Sequence, residues 1–589
     1  MILRFLNEEL LNVQKPARYI GGEFNQVRKD VENKFRIALA FPDVYEVGMS
    51  HYGLELLYHY INSFEEFYAE RVFLPWVDMI ELMEKKDIPL FTLETKTPVF
   101  NMNVLGISIE YELSYTNVLK LLELSKINVE SEKRKDGDPI VIAGGPVVFN
   151  IEPIAGVFDI VYIGDGEKNL RQLLDLLCET KGARRLDRLK EAAKIPGIYI
   201  PQFYRQRGKK VVPIKDVPKK IKKNAIGDLD ECFVPIRQII PNVQSIHDRG
   251  VIEISRGCTR GCRFCHAGYV YRPVRERSKK NVVENAKKIL KETGYEEISL
   301  LSLSAMDHTT LNEIVDGLLP YIKEKKISMS IPSTRVDAFN IELLSKIASV
   351  RKRGITLAPE AGSQTMRNKI NKNIDFNEIY NSALEAKKAG WNKIKLYFMV
   401  GFPDETEGDI KEIGELLREI KRMKFKLVTA SVNLLVPKPH TAFQFVKIRE
   451  PEYMEYVYSI LKNYKRYAKI DVNDGKKSFV EGILSRGDRH LFRVIMKKYK
   501  MSYYDEWTEF FNFDEWIESF KDIDLDKYKG PYSLKDDFPW DHIDSGVTKY
   551  FHWKEYERFF KGESTKDCRN VCSYCGVCQI LNVENNLKI

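Results

Sequence analysis

Three features of the 589-residue chain predict an α/β fold: a Rossmann-like amino-terminal domain, a partial (β/α)6 barrel and a mostly helical carboxyl-terminal domain with a cysteine cluster. Short apolar runs alternate with amphipathic stretches from residue 35 to 180, and do so six more times between 251 and 436. Beyond about 446 the alternation stops. Seven of the nine cysteines fall into two tight groups, one opening the second alternating region and one near residue 570.

In the first region FRIALAF, VLGISI, IVIAGG and DIVYIG are β-rich runs of six or seven residues. Between them LELLYHYI, SYTNVLKLLELSK and EKNLRQLLDLL keep helical spacing. That alternation buries a parallel sheet under helices, so residues 1–180 form one α/β domain. Residues 181–245 break the rhythm with YIPQFYRQRGKKVVPIKDVPKKIKKN, a hairpin and a basic stretch. Nine Lys/Arg stand between Arg205 and Lys223 against Asp216 alone, which suits a solvated linker or a nucleic-acid contact. Residues 246–445 carry VIEIS, ISLLSLS, ISMSIP, GITLAP, KIKLYFMV and LVTASVNLLV, joined by helical connections such as NVVENAKKILKETG. Six βα units close into a partial barrel whose chemistry sits on the loops after the strands. Residues 446–589 read as helical, with YMEYVYSILKNYKRYAKI and KKSFVEGILSRGDRHLFRVIMKKYK. An aromatic, acidic section follows, in which twelve acids face four lysines from Tyr503 to Asp541.

Composition narrows the class. Hydrophobic residues make up 44% and charged residues 30%, with mean hydropathy −0.34, which excludes a disordered or fibrous chain. The 93 Lys+Arg against 84 Asp+Glu leave +9, a mild bias toward an anionic partner such as RNA. No apolar run approaches the roughly 18–20 residues that cross a bilayer. The opening MILRFLNEELLNV sets Glu8 and Glu9 inside its apolar patch, unlike a secretory signal. A cytoplasmic protein with no membrane partner is expected, and in a reducing compartment clustered cysteines read as metal ligands rather than disulfides.

The segment IEISRGCTRGCRFCHAG sets Cys258, Cys262 and Cys265 in C-x3-C-x2-C spacing just after the first barrel strand. Three thiolates on so short a loop can wrap one 4Fe-4S cube and leave its fourth iron open, whereas a structural zinc takes four protein ligands. Gly257 and Gly261 let the backbone turn tightly. Phe264 supplies an aromatic before the last cysteine.

Residues 245–445 resemble the radical S-adenosylmethionine (SAM) superfamily through this motif and its place in the barrel. The resemblance implies that the open iron chelates the amino and carboxylate groups of SAM, and that one electron cleaves SAM to methionine and a 5'-deoxyadenosyl radical. It further implies SAM contacts at the strand ends: Phe264; Ser302 and Ser304 in SLSAMD, where the family usually has Gly-Gly-Glu; Ser333 and Arg335 in STRVD; Glu360 and Ser363 in APEAGS. FMVGFPDET resembles the loop that approaches adenine. An electron donor such as flavodoxin or ferredoxin is the implied partner.

The order of α/β domain and then barrel resembles the cobalamin-binding members of the superfamily. PDVYEVG, with Asp43, Tyr45 and Gly48, stands where the family's Asp-x-His-x-x-Gly signature would be, and Tyr45 replaces the histidine that can ligate cobalt. Gly144, Gly145, Gly164, Gly166 and Glu167, in AGGP and DIVYIGDGEKNL, look like corrin-contacting loops. Either cobalamin binds without a protein ligand to cobalt, or the domain keeps the fold without the cofactor. His51 reads as an ordinary helix-start histidine.

KDCRNVCSYCGVCQ places Cys568, Cys572, Cys575 and Cys578 in C-x3-C-x2-C-x2-C spacing, four thiolates for a second 4Fe-4S cluster or a zinc ion. With LLVPKPHTAFQ and PWDHIDSGVTKYFHWKEYE, the layout resembles an uncharacterised bacterial radical SAM subfamily, with His440, His542 and Asp544 as candidate substrate-side residues. The function expected is radical SAM chemistry leading to cobalamin-dependent methylation of an unactivated carbon, on an RNA, a ribosomal protein or a small molecule. Methylthiotransferase-like sulfur insertion and a non-catalytic iron-sulfur RNA-binding protein are the alternatives.

Overall fold

A computed structural model describes residues 1–332 and 355–588. The amino-terminal sheet contains β1 (Phe35–Phe41), β2 (Phe67–Phe73), β3 (Val104–Ser108), β4 (Ile140–Gly144), β5 (Ile160–Tyr162) and β6 (Ile198–Tyr199), in the order β2-β1-β3-β4-β5-β6. β1 to β5 run parallel and β6 is antiparallel to β5. Both faces are covered, so β1 and β2 are buried along almost their whole length rather than alternating. The order reverses between β1 and β3, and such a switch point opens a crevice at the carboxyl ends of these two strands.

β7 (Tyr204–Arg207) and β8 (Lys210–Pro213) form the expected hairpin, and β9 (Ile221–Lys222) follows it. The barrel region holds two parallel sheets. One joins β10 (Gly250–Glu253) to strands further along, after a short antiparallel ladder of β11 (Ser255–Arg256) and β12 (Arg275–Glu276). Its partners are β13 (Glu297–Leu301) and β14 (Ser328–Ser330), in the order β10-β13-β14. The other is β15 (Ile355–Glu360), β16 (Lys393–Val400), β17 (Leu427–Leu434) and β18 (Lys469–Val472), in that order. β14 and β15 are not hydrogen-bonded to each other among the described residues.

β18 departs from the expectation that YMEYVYSILKNYKRYAKI is helical throughout. The helix ends at Leu461, and Lys469–Val472 adds a seventh parallel strand beside β17. Its residues are alternately exposed and half-buried, an edge-strand pattern with few apolar side chains to announce it.

The helices Gly475–Ser485, Leu491–Tyr499 and Phe513–Phe520 complete the amino-terminal core. Ile483, Leu491, Ile495, Trp516 and Phe520 belong to the same buried cluster as Val104, Leu119 and Val148. The chain then returns through β19 (Ile543–Asp544), which pairs in parallel with β9, to the helix Lys549–Lys561 and the second cysteine group. No helix among the described residues is long and apolar enough to cross a membrane.

Candidate functional site

The ladder of β11 and β12 holds the neck of the first cysteine loop, pairing Ser255 with Glu276 and Arg256 with Arg275. Between these strands Cys258, Cys262 and Cys265 are all half-buried. Gly257 has φ +90°, and a Cβ there would stand 2.5 Å from the Pro273 carbonyl oxygen, so only glycine makes this turn. The Gly268 N–H donates to Cys265 Sγ at 3.3 Å. Burial, with the neighbouring Cys262 and Cys258, pushes the Cys265 thiol up to about 12, and burial also raises Cys258. Thiols crowded in this way resist ionisation until a cation arrives, and iron supplies that charge. Among the described residues no three His, Cys, Asp or Glu side chains converge as the ligands of a single bare ion do. A cubane takes one thiolate on each iron, a wider spread.

The barrel strand ends close around this loop. Ser302 Oγ lies 2.6 Å from Ser255 Oγ and accepts from the Ser304 N–H, while the Ser304 hydroxyl donates to Asp307 at 2.6 Å. Phe264 packs against Phe402, ring centres 6.5 Å apart. Glu360 has φ +70° and accepts from Lys372 Nζ at 3.1 Å. Ser363 caps the helix Gln364–Lys369 by accepting from the Met366 N–H, and its hydroxyl donates to Asp409. Ser333 and Arg335 lie outside the described residues. Cys258, Cys262, Cys265, Phe264, Ser302, Ser304 and Glu360 thus gather at one end of the barrel, and Ser363 spends its hydroxyl on local structure. In the GFPDET loop, burial raises Glu405 to about 7, although it accepts from Tyr453 Oη and the Gly401 N–H, each at 2.5 Å.

At the amino-terminal sheet the predicted residues divide. Asp43 accepts from its own Val44 N–H and from Trp507 Nε1 (3.0 Å), and burial raises its carboxyl. Tyr45 is 2% exposed; it donates to Glu23 and accepts from the Asn242 N–H. A Cβ on Gly48 would run into the Phe73 ring, and one on Gly164 into the Asn224 backbone. Gly166 lies against Leu57, and Glu167 is tied to Arg256 at 3.0 Å. Asp43, Tyr45 and Gly48 are buried and Gly166 and Glu167 half-buried, while Gly164 is exposed and lines a small cavity with Gly145 and Asn224. Gly145, with φ +100°, is pressed against the Ile109 carbonyl, but Gly144 has no atom within 4 Å of where a Cβ would stand.

Gly144 belongs to an open strip at the switch point. His51, after β1, and Glu110, after β3, are about a quarter exposed, 28% and 29%, with Nε2 to Oε1 at 3.3 Å. His51 Nδ1 accepts from the Leu54 N–H, which makes it the cap of the helix Tyr52–Asn62. Phe149, beyond β4, meets His266, the residue after Cys265, at 6.1 Å between ring centres, so strip and cysteine loop are neighbours. A cavity between Gly145, Phe149, Lys223 and Tyr271 holds about 60 Å³, room for water. Both nitrogens of His51 are engaged, Nδ1 by the Leu54 N–H and Nε2 beside Glu110.

The second cysteine group packs on the first. The Cys568 N–H donates to the Thr259 carbonyl at 3.3 Å, and Arg260 pairs with Asp567 (3.2 Å) and with Asp307. Arg569 reaches Asp307 at 3.1 Å, and Arg263 pairs with Glu555 at 3.2 Å. Cys575 is buried, Cys568 and Cys578 are half-buried and Cys572 is exposed; burial and the other three sulfurs raise Cys578. Of the other candidates, His440 Nε2 donates to the Phe149 carbonyl (3.1 Å), and burial holds it neutral by lowering it to about 4. His542 Nε2 lies 3.3 Å from Glu152, and Asp544 accepts from the Gly546 N–H. All three serve local structure. The basic hairpin meets the acidic section, with Lys210 2.9 Å from Asp537 and Lys209 over the Tyr532 ring, while Lys215, Lys219 and Lys220 stay exposed. Sequence reasoning did not single out Glu110, which lies in no spacing motif.

Comparison with known proteins adds the following. Residues 53–201 match the family of radical SAM proteins, N-terminal, and residues 252–417 match the radical SAM superfamily. An uncharacterised protein of Methanocaldococcus jannaschii is 26% identical over 462 residues, 78% of this chain and 90% of that one. An uncharacterised methyltransferase of Pyrococcus horikoshii is 28% identical over 316 residues, 51% of this chain and 61% of that one. Among solved structures, the radical SAM methyltransferase TsrM of Kitasatospora setae, with cobalamin and a 4Fe-4S cluster bound, aligns with TM-score 0.48 and 13% identity over 71% of this chain and 76% of that one.

Proposed function

The chain belongs to the radical SAM superfamily, and on that premise we propose that it cleaves S-adenosylmethionine reductively and uses the 5'-deoxyadenosyl radical to prepare an unactivated carbon for methylation. The observation that carries this reading is the loop of Cys258, Cys262 and Cys265, three half-buried thiols carried just beyond the first barrel strand between β11 and β12. A 4Fe-4S cluster on that loop supplies, when bound, one electron and one open iron for SAM. The residues of this chain then do the rest. Ser255 and Ser302 offer paired hydroxyls to the SAM amino group, and Glu360 offers a carboxylate. Phe264 packs against Phe402 beside the loop.

Cobalamin, if held on the strip of His51, Glu110 and Gly144, supplies a methyl carrier whose methyl originates from a second SAM. The 28% identity with the Pyrococcus protein described as an uncharacterised methyltransferase supports methylation as the outcome. The four cysteines at 568–578 would hold a second cluster with no open iron, and a low-potential flavodoxin or ferredoxin would be the electron source. Exposed Lys215, Lys219 and Lys220 suit a phosphate-bearing substrate such as RNA. The test is anaerobic reconstitution with iron and sulfide, followed by assay for 5'-deoxyadenosine. Cleavage of SAM by the protein, and none by the triple variant C258A/C262A/C265A, is expected. Cleavage that survives in the triple variant overturns the reading.

A further inference from the structure

Arg205, Arg207, Lys215, Lys219, Lys220 and Lys222 are exposed, and among the described residues none of these six side chains makes a hydrogen bond or an ion pair. Asp216 is the one acid between residues 205 and 223. Lys210 is held by Asp537, Lys209 lies over Tyr532, and Asp544, beside Lys222 in the β9–β19 pair, accepts from the Gly546 N–H. Folding does not ask for this charge. Arg207 stands directly opposite Lys210 across the hairpin, and like charges so placed cost a β-ladder stability; Asp537 relieves Lys210 alone. The other face makes the contacts with the protein, Gln206 with Asp488 at 2.8 Å and Val211 in the amino-terminal core.

The cations form a stripe that leads to the cysteine loop. The chain bends at Lys215, whose carbonyl accepts the Val217 N–H at 2.9 Å, and then passes Lys219, Lys220 and Lys222. The next residue, Lys223, is 5% exposed and donates to the Val270 carbonyl at 2.6 Å and to that of Arg272, beyond Cys265 in the chain. It borders the cavity with Gly145, Phe149 and Tyr271. Ile214 is the one large apolar side chain exposed along the stretch. So little apolar area suits neither a protein interface nor a membrane-lying segment, both of which bury aromatic or aliphatic anchors. A phosphodiester strand needs only cations along its path. A stiff duplex touches a bent stripe over part of its length, whereas an unpaired strand can follow it. RNA is the polynucleotide that offers unpaired loops with splayed bases.

We propose that residues 205–222 are the docking surface for an unpaired RNA strand, which the stripe leads to the mouth between the first sheet and the cysteine loop. This rests on the reading above of RNA as the substrate and deepens it, by naming the surface that receives the strand and the path that brings a base to the chemistry. No bond changes in the docking itself.

The experiment uses the full chain and a fluorescent single-stranded RNA of mixed sequence, with anisotropy read at several salt concentrations. Six engaged cations should give log K against log[salt] a slope of about −4, since each phosphate neutralised on a single strand contributes about −0.7. In K215Q/K219Q/K220Q the slope should fall to about −2 and the affinity by about tenfold or more. K424Q/K426Q/K462Q removes the same charge from exposed lysines that precede β17 and β18, and should bind as the parent does. Arg207→Gln should weaken binding yet leave the melting temperature unchanged or higher, because it relieves the pair with Lys210. Equal losses in the two triple variants overturn the proposal, as does a steeper slope with duplex DNA. Displacement of the RNA by polyglutamate or phosphatidylglycerol vesicles at a lower charge concentration than unlabelled RNA also overturns it. Parent protein that cleaves SAM but binds no RNA overturns the docking surface alone, whereas RNA binding without SAM cleavage overturns the radical SAM reading alone.

Discussion

At Gly257 one backbone angle decides whether the metal loop can form. Its φ of +90° is open to glycine and costly for any L-residue, and a Cβ would stand 2.5 Å from the Pro273 oxygen and 2.7 Å from that of Tyr271. Gly257→Ala should fold yet reconstitute with less than half the iron of the parent and lose SAM cleavage in proportion. Gly294, φ +70° with nothing within 4 Å of a Cβ, is the control: Gly294→Asn should load normally. Iron per chain measures both. Glu405 sets a pH dependence. Its folded value of about 7 lies above the unfolded value of about 4.3, so the folded chain holds the extra proton between these limits. Its contribution to stability is therefore full below about pH 4, declines to about pH 7 and is flat above. Glu405→Gln should raise the melting temperature relative to the parent at pH 8 and change it little at pH 5. Equal shifts at both would show that its ionisation is not coupled to folding.

Elements were legible where their signal is local. The spacing of Cys258, Cys262 and Cys265, the run KIKLYFMV of β16 and the β7–β8 hairpin each declare themselves within a dozen residues. β18 did not, because Lys469–Val472 is only four residues long, two of them charged, at a sheet edge. Local reading of the first sheet could not see what packs over its loops, for a related reason. Asp43, Tyr45 and Gly48 sit in the expected loop, but Trp507, Glu23 and Phe73, distant in sequence, cover them. The open edge follows from strand order, which brings His51 after β1 beside Glu110 after β3, with Gly144 at the end of β4. A consequence can be measured with hydroxocobalamin, desalting and optical spectra. Gly144→Phe should abolish corrinoid retention while SAM cleavage persists, Tyr45→Phe should retain it, and no variant should show nitrogen hyperfine splitting from a protein histidine. Retention unaffected by Gly144→Phe would remove the corrinoid from this strip.

Over the whole molecule, the last 140 or so residues are built into both earlier parts, which periodicity along the chain could not show. Acidic and basic stretches that look like separate surfaces meet at Lys210 and Asp537, and the second cysteine group is clamped to the first through Asp567, Arg260 and Asp307. The tightest join is at Trp516. Fully buried, it donates through Nε1 to Asp505 at 3.0 Å, and Asp505 accepts from Thr116 Oγ at 2.8 Å, in the helix Tyr115–Leu124 that covers the first sheet. Lys498 lies 3.0 Å from the same carboxylate. Burial raises Asp505, and Lys498 and these hydrogen bonds offset that, so removing the indole both opens a cavity and takes one donor from a buried acid. Trp516→Ala should destabilise by about 3–5 kcal/mol. Because Trp516 shares one core with Val104 and Leu119, the loss should spread across the sheet rather than stay in the carboxyl-terminal helices. Urea unfolding followed by amide exchange tests this: amides of β1, β3 and the helix Leu491–Tyr499 should lose protection together and at lower urea. Protection of β1 and β3 unchanged while Phe513–Phe520 opens would mean that the helices are a separate folding unit resting on the sheet, and that the amino-terminal domain is complete without them.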